Sequence, residues 1–365
     1  MNRITRGGEL LLFFIALTFS IKNAEAVPYF AVIANTQCSH CHINPTGGGM
    51  RSSHGVGLYS EFALKKTAHL FDNKFKGQIN PYIGIGGDIR LQHLSTIETP
   101  RANNITIPWG ALYLRADPIK YFTFYTDTDL ANLTSREIYG MIHNGMISDH
   151  DIPTKLWLKA GRINLPYGLR LPDDSSFIRS DLGFTFAGQD LGVEVGAEPG
   201  PFRLALAVTN GVGGGAGDDN GKKAFTWFSE WHRKIFRAGG SFFYNDSLVS
   251  RTLSGGIHSA LHLWKFAILG EIDLQRVRTN VVNLSRTVYV GYGEIDYELT
   301  QGLFLKGAYD AIDDNLRGSG LHHRVSGGLE IFPIPFLEVD LLYRMRLGNG
   351  ALGDDQIMGI FHAFF

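Results

Sequence analysis

Phe336-Leu337-Glu338-Val339-Asp340-Leu341-Leu342-Tyr343-Arg344-Met345-Arg346-Leu347 changes character at almost every step. In an extended chain Leu337, Val339, Leu341, Tyr343 and Met345 share one face. Glu338, Asp340, Leu342, Arg344 and Arg346 share the other. Period two with one apolar and one ionic face marks a strand with oil on one side and water on the other. Residues 265–275 repeat the pattern, with Phe266, Ile268, Gly270, Ile272 and Leu274 opposed to Glu271, Asp273 and Gln275. In 287–298, Glu294, Asp296 and Glu298 oppose Ile295 and Tyr297, and in 202–208 the apolar face is Phe202, Leu204, Leu206 and Val208.

A soluble sandwich also alternates, but its strands are usually five or six residues long. Here the segments often reach ten or more, and turns rich in Gly, Asp and Asn fall between them at a fairly regular interval. In hydrocarbon an open sheet edge leaves backbone donors unpaired, so strands of this kind close into a barrel. The expected fold class is therefore an all-β transmembrane barrel of about sixteen antiparallel strands. They are placed near 75–93, 104–116, 119–128, 136–145, 154–163, 190–198, 202–210, 222–232, 235–245, 251–264, 265–276, 286–298, 302–312, 321–332, 336–347 and 355–365. The chain ends Ile360-Phe361-His362-Ala363-Phe364-Phe365, the aromatic end common to outer-membrane barrels. The formal net charge of -1 excludes a basic nucleic-acid footprint.

The N-terminus supplies the address. Arg3 and Arg6 precede an apolar run from Leu10 to Ile21, and Ala24-Glu25-Ala26 follows. These are the parts of a secretory signal peptide, assigned to residues 1–26, whose apolar run is short for a membrane-spanning helix. Residues 27–72 form a small second unit and 73–365 the barrel.

Both cysteines of the chain fall in Cys38-Ser39-His40-Cys41-His42, the C-x-x-C-H string of a c-type haem attachment site. Two thiols hold the porphyrin and the following histidine reaches the iron. A redox dithiol leaves His42 without a purpose, and structural zinc calls for more ligands. His42 is the expected proximal iron ligand. Met50, His54 and His69 are candidates for the second, His54 and His69 because a Gly-rich turn lets the chain return over the ring. Residues 59–70 read as moderately helical. Asn44-Pro45-Thr46-Gly47-Gly48-Gly49 is a turn whose glycines permit close backbone approach to the haem. Fewer than fifty residues rarely fold alone, so the haem segment is expected inside the barrel lumen or at its mouth.

Residues 165–188 make a long connection holding Pro166, Gly168, Pro172, Asp173 and Asp174. It folds inward as a constriction or stands outside as a loop. The pairs Asp127/Asp129, Asp313/Asp314 and Asp354/Asp355 sit at strand ends, as solvated turn residues or as a lure for a cation.

The stretch Val27-Pro28-Tyr29-Phe30-Ala31 running into Cys38 and Cys41 resembles the start of the outer-membrane fused monohaem cytochrome c–porin family of iron-oxidising bacteria, with Val32 where that pattern has arginine. Asn44-Pro45-Thr46-Gly47 is loosely similar to the family's post-haem stretch. Gly161-Arg162-Ile163-Asn164-Leu165-Pro166-Tyr167-Gly168-Leu169-Arg170 looks like a theme of porin-like proteins near electron-transfer systems. The resemblance implies one covalent haem c, a bacterial outer-membrane location among its lipids, and electron transfer. The transfer would run between extracellular iron, or another redox-active metal, and a periplasmic c-type cytochrome. Ferrous iron is the family's typical donor, which makes an iron-oxidising oxidoreductase one expectation. A porin, or a structural partner subunit of a multihaem complex, is the other.

Overall fold

A computed structural model describes residues 28–68, 77–97, 103–130, 134–144, 155–214, 217–280, 284–315, 320–347 and 355–365. The signal peptide and His69 expected from the sequence lie outside the described residues. Three short helices come first: α1 (Pro28–Ile33), α2 (Cys38–Cys41) and α3 (Ser53–Phe62). A three-residue strand, β1 (Gln78–Asn80), follows, then sixteen long strands run from β2 (Ile83–Thr96) to β17 (Gln356–Phe364). The sixteen strands correspond one for one to those expected from alternation.

Each of the sixteen pairs antiparallel with its chain neighbours, and β17 returns to β2, with Phe364 opposite Asp88 and Gln356 opposite Thr96. The terminal residue completes the seam: the Phe365 amide donates to the Gly87 carbonyl at 3.0 Å, and the Gly87 amide donates back at 3.3 Å. Among the described residues the sixteen long strands close on themselves with no open edge, as a bilayer demands.

The burial pattern is inverted relative to a soluble protein. On β12 (Phe266–Thr279), Glu271, Asp273 and Gln275 are buried, whereas Ile272 is 65% exposed. On β11 (Ser250–Leu263) its cross-strand partner Ile257 is 67% exposed. The exposed apolar face is the lipid face, and the buried polar face lines the lumen. Tyr82, Tyr121 and Trp264, exposed at three short turns, mark an aromatic girdle at one end. Short turns gather at that end, such as 120–121, 234–235, 264–265 and 335–336, and longer connections at the other. Barrels of this class put short turns in the periplasm.

Residues 165–188 fold inward, deciding between the two expectations. Tyr167, Leu171, Ile178, Leu182, Phe184 and Phe186 are all buried. The Tyr167 ring stacks on Phe184 with centroids 3.9 Å apart, and its hydroxyl donates to Asp273 at 2.7 Å. Arg344 pairs with Asp173 at 2.5 Å, and the Arg90 guanidinium donates to the Pro172 carbonyl at 2.6 Å. The single helix of this loop is α4 (Phe177–Ser180). Proline and glycine set its bends, while wall arginines and carboxylates hold it inside.

One member of each acidic pair is held by a neighbour. Arg136 pairs with Asp129 at 2.6 Å, Arg286 with Asp314 at 2.7 Å, and Asp355 accepts from Tyr343 at 2.6 Å.

If the exposed face meets lipid, Ile272→Arg should cost roughly 2–4 kcal/mol, the depth-dependent penalty of a cation near the bilayer middle. Urea unfolding from lipid vesicles measures it; a change below about 0.5 kcal/mol would place that face in water.

Candidate functional site

The haem segment enters at the short-turn end and lies within the lumen. The Leu64 amide donates to the Phe332 carbonyl at 2.9 Å, and Gln301 donates to the Ala63 carbonyl at 2.9 Å. Ser39 donates to Glu198, in the turn after β7 (Gln189–Ala197), at 2.5 Å. Deeper in, a fully buried Lys159–Glu194 pair at 2.9 Å faces the segment, and Lys159 also donates to the Asn44 carboxamide oxygen at 2.9 Å. Removing one member of such a buried pair costs about 3–5 kcal/mol, because the other charge stays behind unmatched. Phe30 on α1 stacks on Phe62 of α3, centroids 3.8 Å apart, and both pack into a cluster with Phe304, Phe332 and Phe364 of the wall.

Local geometry explains the turn that carries the motif. The His42 amide donates to the Cys38 carbonyl at 2.9 Å, closing a single helical turn around C-x-x-C. Gly47, Gly48 and Gly49 follow in the left-handed region, with φ of 91°, 79° and 65°. They reverse the chain, so that the Ile43 amide bonds the Met50 carbonyl at 2.9 Å. Gly47 and Gly48 line the cavity beside the cysteines, as the sequence suggested, whereas Gly49 sits against the Tyr125 hydroxyl of the wall. Helix α3 starts and stops earlier than the sequence suggested, at 53–62 rather than 59–70. Ser52 caps it by accepting from the Gly55 amide at 3.1 Å, and beyond Phe62 the chain turns to bond the wall.

Both thiols and His42 open onto one cavity. Its lining is apolar over Phe30, Val32, Leu58, Leu169, Phe228 and Leu269, with Arg170, Arg203 and Arg237 among it. The residues fit a haem c. Cys38 and Cys41 are free thiols rather than a disulfide. Burial pushes the Cys41 thiol up to about 12, unlike the activated thiolate of a redox dithiol. His42 is 4% exposed, its ring facing the backbone of Gly48 and Gly49. Burial, joined by the Arg51 charge, lowers its pKa to about 3, leaving the neutral imidazole that ligates a metal. The buried Nε of Arg203 is unpaired, while another of its nitrogens lies 2.7 Å from the Cys38 sulfur. A cation there suits the carboxylate arms of a porphyrin.

The three candidates for the second ligand are dispersed. Met50 is buried against Gly77, Gly84 and Gly86 at β1 and β2, and does not line the cavity. His54 is exposed, its ring 6.3 Å from His40. His69 is outside the described residues. The sequence reading missed His258, in the middle of β11. Among the described lining residues only His42 and His258 are histidines, and none is a methionine. His258 is buried, stacked on Phe228 with centroids 5.2 Å apart, and its Nε2 pairs with the Glu230 carboxylate at 3.6 Å. Lumen-facing parity was the only signal for it, and many wall residues share that parity.

The barrel was compared with known proteins. No protein-family model matches the chain, and no curated protein matches it. Solved structures do. A loop-deletion mutant of OmpT, an outer membrane protein of Vibrio cholerae, is similar with a TM-score of 0.60 at 10% identity, over 78% of this chain and 99% of that one. This barrel has the porin fold. OmpF of Salmonella typhi gives a TM-score of 0.58 at 12% identity, over 78% and 97%. An anion-selective porin from Comamonas acidovorans gives 0.55 at 9%, over 78% and 99%. The chain thus places a haem c attachment motif inside a sixteen-stranded barrel of the porin fold.

Gly55 tests the packing of the motif. A Cβ there would stand 2.2 Å from the Cys41 carbonyl oxygen, whereas one at Gly57 meets nothing within 4 Å. Gly55→Ala should lower covalent haem per barrel several-fold, measured as haemochrome absorbance against folded protein. Gly57→Ala should leave it unchanged, or stabilise α3 by about 0.5–1 kcal/mol.

Proposed function

We propose that this porin-fold chain passes single electrons across the outer membrane, between an extracellular redox-active metal and a periplasmic c-type cytochrome. The observation that carries the reading is a C-x-x-C-H turn buried inside a barrel, both thiols and His42 opening onto one cavity. Haem c supplies a one-electron couple whose potential depends on axial ligands and burial. Everything else is done by the chain.

Cys38 and Cys41 supply the two sulfurs that keep the group from leaving an exported protein. His42 offers a neutral nitrogen held in place by the turn. Arg203 and Arg237 supply positive charge at the cavity wall, Arg237 also donating to the Ala31 carbonyl at 2.6 Å and so tying α1 to that wall. Phe30, Leu169 and Phe228 exclude water. In this reading His258, which lines the same cavity as His42, would help hold the group, so the barrel wall as well as the plug would set the potential. In this reading a partner would approach from the short-turn end, where the plug enters.

The test is stopped-flow spectroscopy of haem-loaded protein in liposomes, long loops outward, with a cytochrome c trapped inside. External ferrous iron should reduce both haems rapidly, and His42→Ala should abolish this. If a pre-reduced haem instead discharges to external ferric chelate, the flow runs outward. Silence in both directions overturns the reading. For His258, ferrous wild type should bind carbon monoxide slowly and His258→Ala at least tenfold faster, with a high-spin shift of the Soret band. Equal rates would leave His258 without a part in holding the group.

A further inference from the structure

A second cavity lies in the lumen and is lined by different residues. It runs along β16 (Leu337–Leu347) from Glu338 to Arg344, a span of roughly 20 Å at strand rise. At its short-turn end Glu338 and Asp340 of β16 line it, and Glu330 of β15 (His322–Ile334), outside that lining, converges on them; all three are buried. One oxygen of each lies within 4.8 Å of the others. Glu330 and Asp340 stand directly opposite each other across the strand pair, where like charges repel.

The surroundings do not neutralise them. Lys306 is shared at 3.6, 4.0 and 3.6 Å by Glu294, Asp296 and Glu330. His362 is held between Glu338 at 2.8 Å and Asp88 at 3.0 Å. Glu330 and Glu338 are hydrogen-bonded to each other, and Oδ1 of the buried Asp340 makes no hydrogen bond. Unpaired buried carboxylate oxygens cost several kcal/mol each unless a proton or a cation meets them. A set of oxygens alone, with an open cavity beside it, suits a hard divalent cation more than a soft one.

We infer that Glu330, Glu338 and Asp340 bind a divalent cation that enters through the lumen. The Tyr29 hydroxyl donates to Glu330 at 2.9 Å, and the next residue on α1, Phe30, lines the haem cavity. The cation is therefore separated from that cavity by the aromatic side chains of α1. Its use as a docking place for a redox metal rests on the electron-transfer reading; its occupancy does not.

The test uses haem-loaded full-length protein in detergent at neutral pH, titrated with Mn²⁺ and followed by the six-line EPR signal of the free ion. Wild type should take up one Mn²⁺ per chain saturably. Asp340→Asn alone and the Glu330→Gln/Asp340→Asn pair should each weaken this at least tenfold, with folding checked by heat-shifted gel mobility and the haem spectrum. Asp355→Asn, at a loop on the opposite end, should leave it unchanged. Haem-free His42→Ala should still bind Mn²⁺, so that failure of the electron-transfer reading is distinguishable from failure of the site. Absence of a saturable site in wild type, or an unaltered site in Asp340→Asn, overturns the inference and leaves the carboxylates sharing protons.

Discussion

Closure of the sheet between β17 and β2 is the constraint on which everything else depends. A strand in hydrocarbon has no water to satisfy its amides, so each must find a neighbour and the last must find the first. The pairing of Phe365 with Gly87 ends that requirement at the final residue of the chain. A closed barrel of sixteen strands then has an interior too wide for its own side chains to fill. The haem segment and residues 165–188 take up that interior.

The consequence is a lumen where polarity and burial coincide. Buried ion pairs are weak evidence of stability, since desolvation offsets most of their attraction. What they provide here is placement. Lys159 orders Asn44 and so the turn after His42, while Glu230, Arg203 and Arg237 surround the cysteines. Each plug contact is a specific hydrogen bond or aromatic packing, so the segment has one seat rather than a greasy slot. A haem needs this, because its potential follows the groups nearest to it.

Two cavities on either side of α1 divide the interior by chemistry. One joins thiols, imidazoles and apolar surface, and the other gathers carboxylates. Tyr29 and Phe30, consecutive in sequence, point to different sides of that division: Tyr29 bonds Glu330, and Phe30 lines the cavity of the cysteines. A six-residue helix thereby sets the spacing between them.

By itself the sequence determined whatever is local or periodic. Alternation with period two is a property of consecutive residues, so strands such as 336–347 and their lipid faces were legible, and sixteen of them imply closure. The C-x-x-C-H string is equally local, and it named the cofactor and His42. Tertiary structure decided what depends on residues far apart in sequence. The inward fold of 165–188 rests on Asp173 meeting Arg344 and Tyr167 meeting Asp273. The early end of α3 rests on Leu64 meeting Phe332. Met50 and His54, near the motif in sequence, do not line its cavity, whereas His258, more than two hundred residues away, does. The physical reason is register. Alternation tells which side of the wall a residue faces, but only the pairing of neighbouring strands tells its height along the barrel and its companions there.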